Sequence, residues 1–281
     1  MIKGGADLHV HSRHSDGSQT VEELIRLAAE KGLRAISLTD HDTISSLGEA
    51  LEWGEKLGVQ VIPGIEISAY DYGKGRKIHL LGYDFNREAP HLTALCSPLR
   101  QKRHENTLRQ IDLLEKAGYP VTLTEVEEEA AEAPCLYKQH IMMILIRKGL
   151  TDSLYSSLYK ELFKGGGICR GDIEYVDVFD ALDAIRADGG KAVLAHPGQQ
   201  YSFDLIPTLA ERGLWGLEFN HEDHSEEDKA RIRELAEQYG LALTGGSDTH
   251  GDYGSGCALG EICAPADFAL TNDKRRRIAH A

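Results

Sequence analysis

No stretch of this chain approaches eighteen consecutive apolar residues, and its N-terminus carries no basic segment leading into an apolar run. Neither a membrane-spanning helix nor a secretory signal is therefore expected. Paired cysteines are missing too. Cys96, Cys135, Cys169, Cys257 and Cys263 contain no CxxC and are odd in number, so there is no disulfide framework, and a cytoplasmic location is expected. Positive charge is in deficit: 31 Lys and Arg face 45 Asp and Glu, for a formal net charge of -14. Such a balance excludes a long nucleic acid or an anionic membrane as the expected partner, because both are normally met by a basic face. The glycine run in "FKGGGICRGDIEY" is followed by no Gly-Lys-Ser or Gly-Lys-Thr and is not a phosphate-cradling P-loop. Internal repeats and low-complexity tracts are also lacking.

What is present is an ordinary globular composition, 281 residues with 41% hydrophobic and 27% charged, enough for a sizeable core. The pattern alternates strand and helix. "GADLHVH", "RAISLTD", "VQVIPGIEISA" and "KIHLLGYDF" read as strands, with "TVEELIRLAAEKG" and "SSLGEALEWGEKLG" as helices between them. Thr20 and Glu23 predict a capping box, and Gly32 a left-handed stop. From about 86 the strand signal vanishes, and residues 86–165 read as a helical insertion. The alternation returns from "DVFDALDAIRADGG" to "LALTGGSDTH", so 1–85 and 166–270 predict one discontinuous α/β unit, a parallel barrel, followed by a basic tail at 271–281.

The chain holds 13 histidines. His9 and His11 in "DLHVHSRHSDG" lie two apart on a strand and so point the same way, an arrangement that suits a metal ion. His41, Glu66, His79, His196, Asp248 and His250 each fall near the carboxyl end of a predicted strand, and in a parallel barrel those ends converge on one face. His91, His104, His221 and His280 read as ordinary structural or surface histidines. Imidazole and carboxylate donors without thiolate suit manganese, zinc or iron. There are more donors than one four-coordinate ion can use, which predicts two or three ions sharing Glu66 as a bridge.

The ordered motifs "DLHVHSRHSDG", "LTDHDT", "GIEIS", "IHLLGY", "AHPG" and "GSDTH" resemble those of the polymerase and histidinol phosphatase (PHP) family of metal-dependent phosphoesterases. The resemblance implies an α/β fold, a distorted (β/α)7 TIM-like barrel with a small helical insertion, and up to three ions. It implies that His9, His11, Glu66 and Asp248 hold the first, that Glu66, His79 and His140 hold the second, and that Asp16, His41 and His250 hold the third. His196 would lie near the third ion or contact the substrate phosphate.

By the same resemblance the reaction is attack of a metal-bridging hydroxide on a small phosphorylated metabolite, a nucleotide mono- or bisphosphate or a cyclic phosphodiester. Asp248 belongs to the catalytic set, with His196 as the expected general acid and His224 the next candidate. Both are also candidate substrate contacts. Arg13 is expected either to hold a phosphate oxygen or to pair with a neighbouring carboxylate, and Arg170 to lie in the segment that lines the phosphate pocket. Other readings of the same residues are histidinol-phosphate phosphatase, a non-catalytic metal-binding scaffold, and hydrolysis of an acyl bond.

Overall fold

The signals around the first helix are realised atom by atom. Thr20 Oγ1 accepts from the Glu23 N–H while the Glu23 carboxylate accepts from the Thr20 N–H, and Gly32, at φ +69°, turns the chain out of the helix. The computed structural model describes residues 4–254, 256–266 and 268, so the basic tail expected at 271–281 lies outside the described residues. In chain order the elements are β1 (Ala6–Val10), α1 (Val21–Glu30), β2 (Ala35–Leu38), α2 (Leu47–Leu57), β3 (Gln60–Val61), β4 (Gly64–Asp71) and β5 (Arg76–Tyr83). Four helices follow, α3 (Pro90–Lys116), α4 (Leu123–Glu129), α5 (Lys138–Arg147) and α6 (Ser157–Phe163). The chain then runs through β6 (Val176–Asp177), α7 (Val178–Ala187), β7 (Lys191–Leu194), α8 (Ile206–Glu211), β8 (Gly216–Asn220), α9 (Glu226–Tyr239) and β9 (Ala242–Gly245).

The strands form two sheets, one in the order β1-β2-β3 and one in the order β6-β4-β5-β7-β8-β9. Most neighbours are parallel, but β5 runs antiparallel to both β4 and β7. This departs from the all-parallel expectation, and the reason is the connection: only residues 72–75 separate β4 from β5, whereas a parallel crossover needs a dozen or more. The two sheets meet at isolated bridges, Val10 with Thr249 and His41 with Glu66. The expected closed barrel is not found among the described residues. Each seam pairs a strand residue, Val10 of β1 or Glu66 of β4, with one beyond the end of a short strand, Thr249 after β9 or His41 after β2, so a single bridge forms there and no continuous ladder.

Apolar burial fixes the layers. Ile65, Ile67, Ile78, Leu80 and Leu194 pack under α7, α8 and α9, and a separate apolar cluster gathers Ile111, Leu114, Ile141, Leu145 and Phe163 from α3, α5 and α6. β1 is buried along its whole length even though it carries Asp7 and His9, so those polar groups must find partners inside the protein. The start of α3 is capped from a distance, Asp188 accepting from the N–H groups of His91 and Leu92 at 3.2 and 2.8 Å. No helix among the described residues is long and apolar enough to cross a membrane.

Candidate metal centre

β1, β2, β7 and β9 deliver side chains at or just beyond their carboxyl ends, whereas β4 delivers Glu66 from its third position and β5 delivers His79 from its first half. Because β5 runs the other way, His79 near its start reaches the same end of the sheet. Glu66 is the meeting point. Its Oε2 lies 3.3 Å from His9 Nε2 and 3.2 Å from both His11 Nε2 and His41 Nδ1, and its Oε1 lies 2.7 Å from His79 Nδ1 and 3.2 Å from His196 Nε2. Asp248 Oδ1 adds a second carboxylate 3.2 Å from His9 Nε2 and 3.1 Å from His11 Nε2. Asp16 Oδ1 lies 3.5 Å from His250 Nε2 and 3.8 Å from His11 Nδ1.

Three groups of donors come within metal-binding distance: His9, His11, Glu66 and Asp248; His11, Asp16, His41 and His250; and His41, Glu66 and His79. Several of their atoms, including His9 Nε2, His11 Nε2, His41 Nδ1, His79 Nδ1, Asp16 Oδ1 and Asp248 Oδ1, are buried without a hydrogen-bond partner. Buried polar atoms are normally satisfied, and so many unsatisfied lone pairs aimed at common points fit divalent cations. The first group has the composition expected from the sequence. The Asp16 group gains His11.

His140 does not join Glu66 and His79. It is the third residue of α5, its Nδ1 accepts from the Tyr137 N–H at 3.2 Å, and its ring also bonds to the Ser15 backbone. Burial holds it neutral, pushing its pKa down to about 4. What stands beside His79 instead is His41 and His196, both near Glu66. His224 likewise turns away. Its Nδ1 meets the Phe219 carbonyl at 3.0 Å and its Nε2 accepts from the Gly198 N–H at 3.2 Å, so neither nitrogen is free to donate to a leaving group. Arg13 pairs with Glu132 at 3.6 Å, and Arg170 is exposed, its backbone carbonyl held by Arg109.

Around these donors is a layer the sequence reading missed. Glu218 on β8, fully buried, accepts from His9 Nδ1–H at 2.9 Å and from the His196 N–H at 2.8 Å, which turns the lone pair of His9 Nε2 toward Glu66 and Asp248. His221 accepts from the Asp223 N–H through Nδ1, so its Nε2–H donates to Asp248 Oδ2 at 3.2 Å. Asp40 accepts from the N–H and hydroxyl of Ser12 and from Ser15 Oγ, which shapes the loop carrying Asp16. Asp7 binds Ser247 and the Gly260 N–H, and burial raises its carboxyl to about 6. A signal existed for Glu218: an acid inside the apolar strand "LWGLEFN" must have a buried partner. His196 and Asp248 carry positive φ, +22° and +51°, strained backbone held in place at the site.

Burial opposes a charge on His11, but Asp248 and Glu66 push its pKa up to about 10. Burial likewise works against the ionised form of Glu66, yet His79, His41 and His9 hold it well below the usual carboxylate range. His41 goes the other way, burial driving it down to about 3. The centre thus concentrates ionised carboxylates against imidazoles, and a cation that displaces the protons finds its ligands ready.

The PHP domain family matches residues 7–187. A phosphoribosyl 1,2-cyclic phosphate 1,2-diphosphodiesterase from Eggerthella lenta is 50% identical over 248 residues, 88% of this chain and 95% of that one. A 5'-3' exoribonuclease from Haemophilus influenzae is 29% identical over 249 residues, 87% of this chain and 89% of that one. Among solved structures, a metal-dependent phosphoesterase from Bifidobacterium adolescentis superposes with a TM-score of 0.87 at 26% identity, covering 94% of this chain and 93% of that one. The chain belongs to the PHP-domain family of metal-dependent phosphoesterases.

Proposed function

We propose that this protein hydrolyses the cyclic phosphodiester of a phosphorylated ribose, using two or three divalent manganese, zinc or iron ions held at the three donor groups. The carrying observation is the convergence of buried, unpartnered lone pairs on Glu66, which two of the three groups share, and on Asp16 in the other. His9, His11, Glu66 and Asp248 are read as ligands of one ion and His11, Asp16, His41 and His250 of another. Glu66 and His79 are read as ligands of a third, closed by His41 or His196 in place of His140. Bound ions would supply charge to neutralise the phosphoryl oxygens and an ionised water near neutral pH.

The protein's own contribution is positional. Glu218 and His221 fix His9 and Asp248, and the Asp40 bonds to Ser12 and Ser15 hold the Asp16 loop. His196, lowered by burial and aimed at Glu66 Oε1, suits a neutral ligand better than a general acid. The similarity to the Eggerthella lenta enzyme supports the cyclic diester. The net charge of -14 favours a small substrate over a long nucleic acid, although several relatives are exoribonucleases. Five free cysteines, four of them buried, are in keeping with a reducing cytoplasm. The helices of residues 86–165 are read as an insertion with its own apolar cluster on the frame of 1–85 and 166–270.

The test is product release by manganese-loaded and zinc-loaded protein from ribose cyclic phosphates, nucleoside bisphosphates, oligoribonucleotides and histidinol phosphate, with Asp248→Ala as control. Opening of a ribose cyclic phosphate, lost in Asp248→Ala, is expected. Turnover of histidinol phosphate alone would replace the proposed substrate, and full metal occupancy with no turnover of any ester would refute the reading in favour of a scaffold.

A further inference from the structure

His140 does not reach the donor groups, but its neighbour does. Gln139, the second residue of α5, donates from Nε2 to Asp16 Oδ2 at 2.8 Å. A carboxylate only accepts, so the amide nitrogen is the end that must face it. The bond occupies one oxygen of Asp16 and leaves the other, Oδ1, buried and unpartnered, 3.5 Å from His250 Nε2. Glu218 serves His9 in the same manner, engaging one atom so that the other is aimed.

Two more contacts come from the helices of residues 86–165, and both end on the same set of donors. Tyr137, which precedes α5, donates from its hydroxyl to the His41 carbonyl at 3.0 Å. Tyr253 follows His250 by three residues, with its N–H bonded back to the His250 carbonyl at 3.3 Å, and its hydroxyl donates to Glu129 of α4. Arg147 of α5 holds Glu129 in turn, Nη2 donating to Oε1 at 2.7 Å. Tyr253 also joins the apolar cluster of Ile111, Leu114, Ile141, Leu145 and Phe163. Asp16, His41 and His250 are thus each tied to the helical stretch.

The ties are selective. Those three residues, with His11, make up a single donor group, whereas His9 and Asp248 of the neighbouring group are held by Glu218 and His221, in and just after β8. Gln139 is the most direct of the three ties, because it touches the ligating carboxylate itself. It is only partly buried, so replacing it opens no cavity in a core.

We propose that Gln139 is a positioning residue through which residues 86–165 set the affinity of one ion, that of His11, Asp16, His41 and His250, and leave the ion of His9, His11, Glu66 and Asp248 unaffected. This role rests on the reading of those donor groups as ion sites. Without Gln139, the Asp16 carboxylate is free to rotate, and each binding event must first re-order it. Coupling of this kind is reciprocal, so the ion in turn tightens α5.

The test measures manganese content after dialysis, and affinity by chelator competition, for Gln139→Met, which keeps the length of the side chain and removes its donor. One ion bound about 10- to 100-fold more weakly, and lost on dialysis, is expected, with the remaining ions at wild-type affinity. Tyr137→Phe is expected to weaken the same ion by about two- to tenfold. In an Asp16→Ala background, Gln139→Met should have no further effect. Wild-type metal content and affinity in Gln139→Met, an equal loss of every ion, or a weakening that persists in the Asp16→Ala background would overturn the role. Amide hydrogen exchange reads it without turnover. Manganese should slow exchange in α5 of the wild type but not of Gln139→Met, and equal slowing in both, or none in either, overturns it. If the loaded wild type opens no ester while Gln139→Met still loses its one ion, Gln139 keeps its role and the cleavage reading falls.

Discussion

Replacing Glu218 by glutamine keeps the volume of a fully buried side chain and removes one of the two acceptors its surroundings require. Oε1 accepts from His9 Nδ1–H at 2.9 Å and Oε2 from the His196 N–H at 2.8 Å. A glutamine offers one carbonyl oxygen, so whichever donor it serves, its amide NH2 confronts the other, and one buried N–H is left alone. An orphaned buried donor costs about 1–3 kcal/mol, and the lost charge assistance adds to it. At about 1.4 kcal/mol per factor of ten, the ion held by His9 should bind about 10- to 100-fold more weakly, in line with other carboxylates behind ligating imidazoles. The assay is manganese affinity by competition with a chromogenic chelator, alongside turnover against free manganese. The variant's activation curve should move to higher metal by that factor, with turnover recovering in excess metal. A Glu218→Gln protein with wild-type circular dichroism and wild-type manganese affinity would refute the idea that Glu218 aims His9.

Three further outcomes are expected. Gly246→Ala would place a Cβ 2.3 Å from His9 N and 2.8 Å from Asp7 Oδ1, so β1 must yield; a loss of about 1–3 kcal/mol in urea unfolding, with weaker metal binding, is expected. Asp188→Asn weakens the distant cap of α3 by roughly 1 kcal/mol. Burial opposes the Asp188 charge, but bonds from Leu92 and His91 hold its pKa below the usual 3.8, so its stabilisation is present above that pH and disappears as pH falls through the folded value. The wild-type advantage over the variant should shrink accordingly in acid unfolding. Chelation should lower Tm, since ions at 100 times their dissociation constant contribute about 2.7 kcal/mol, and reloading should release protons measurable in weak buffer.

His9 and His11 were legible because alternation along a strand is a local property, and Asp248 and His250 because strand ends converge wherever parallel neighbours dominate; Glu66 reaches the same place from the third position of β4, which runs on past the end of β2. His79 was found for an incomplete reason. The hairpin through residues 72–75 reverses β5, and only that reversal brings its early residue to the site. His140 misled because its ring is engaged by the turn that starts its own helix, which periodicity does not report. Glu218 and His221 act through other side chains, and their partners lie 209 and 27 residues away, distances that local pattern cannot bridge. Barrel closure was over-read because seams made of single bridges look, in sequence, like any other pair of strands.

The junction of β1 with the segment after β9 has a consequence for biosynthesis. His9 and His11 leave the ribosome well before Asp248 and His250, which face them across the Val10–Thr249 bridge. Between those two moments the nascent chain carries half a chelating site, so the centre can be completed only after β9 and the segment following it have emerged. A product truncated before β9 would lack both late donors however well its earlier elements had folded.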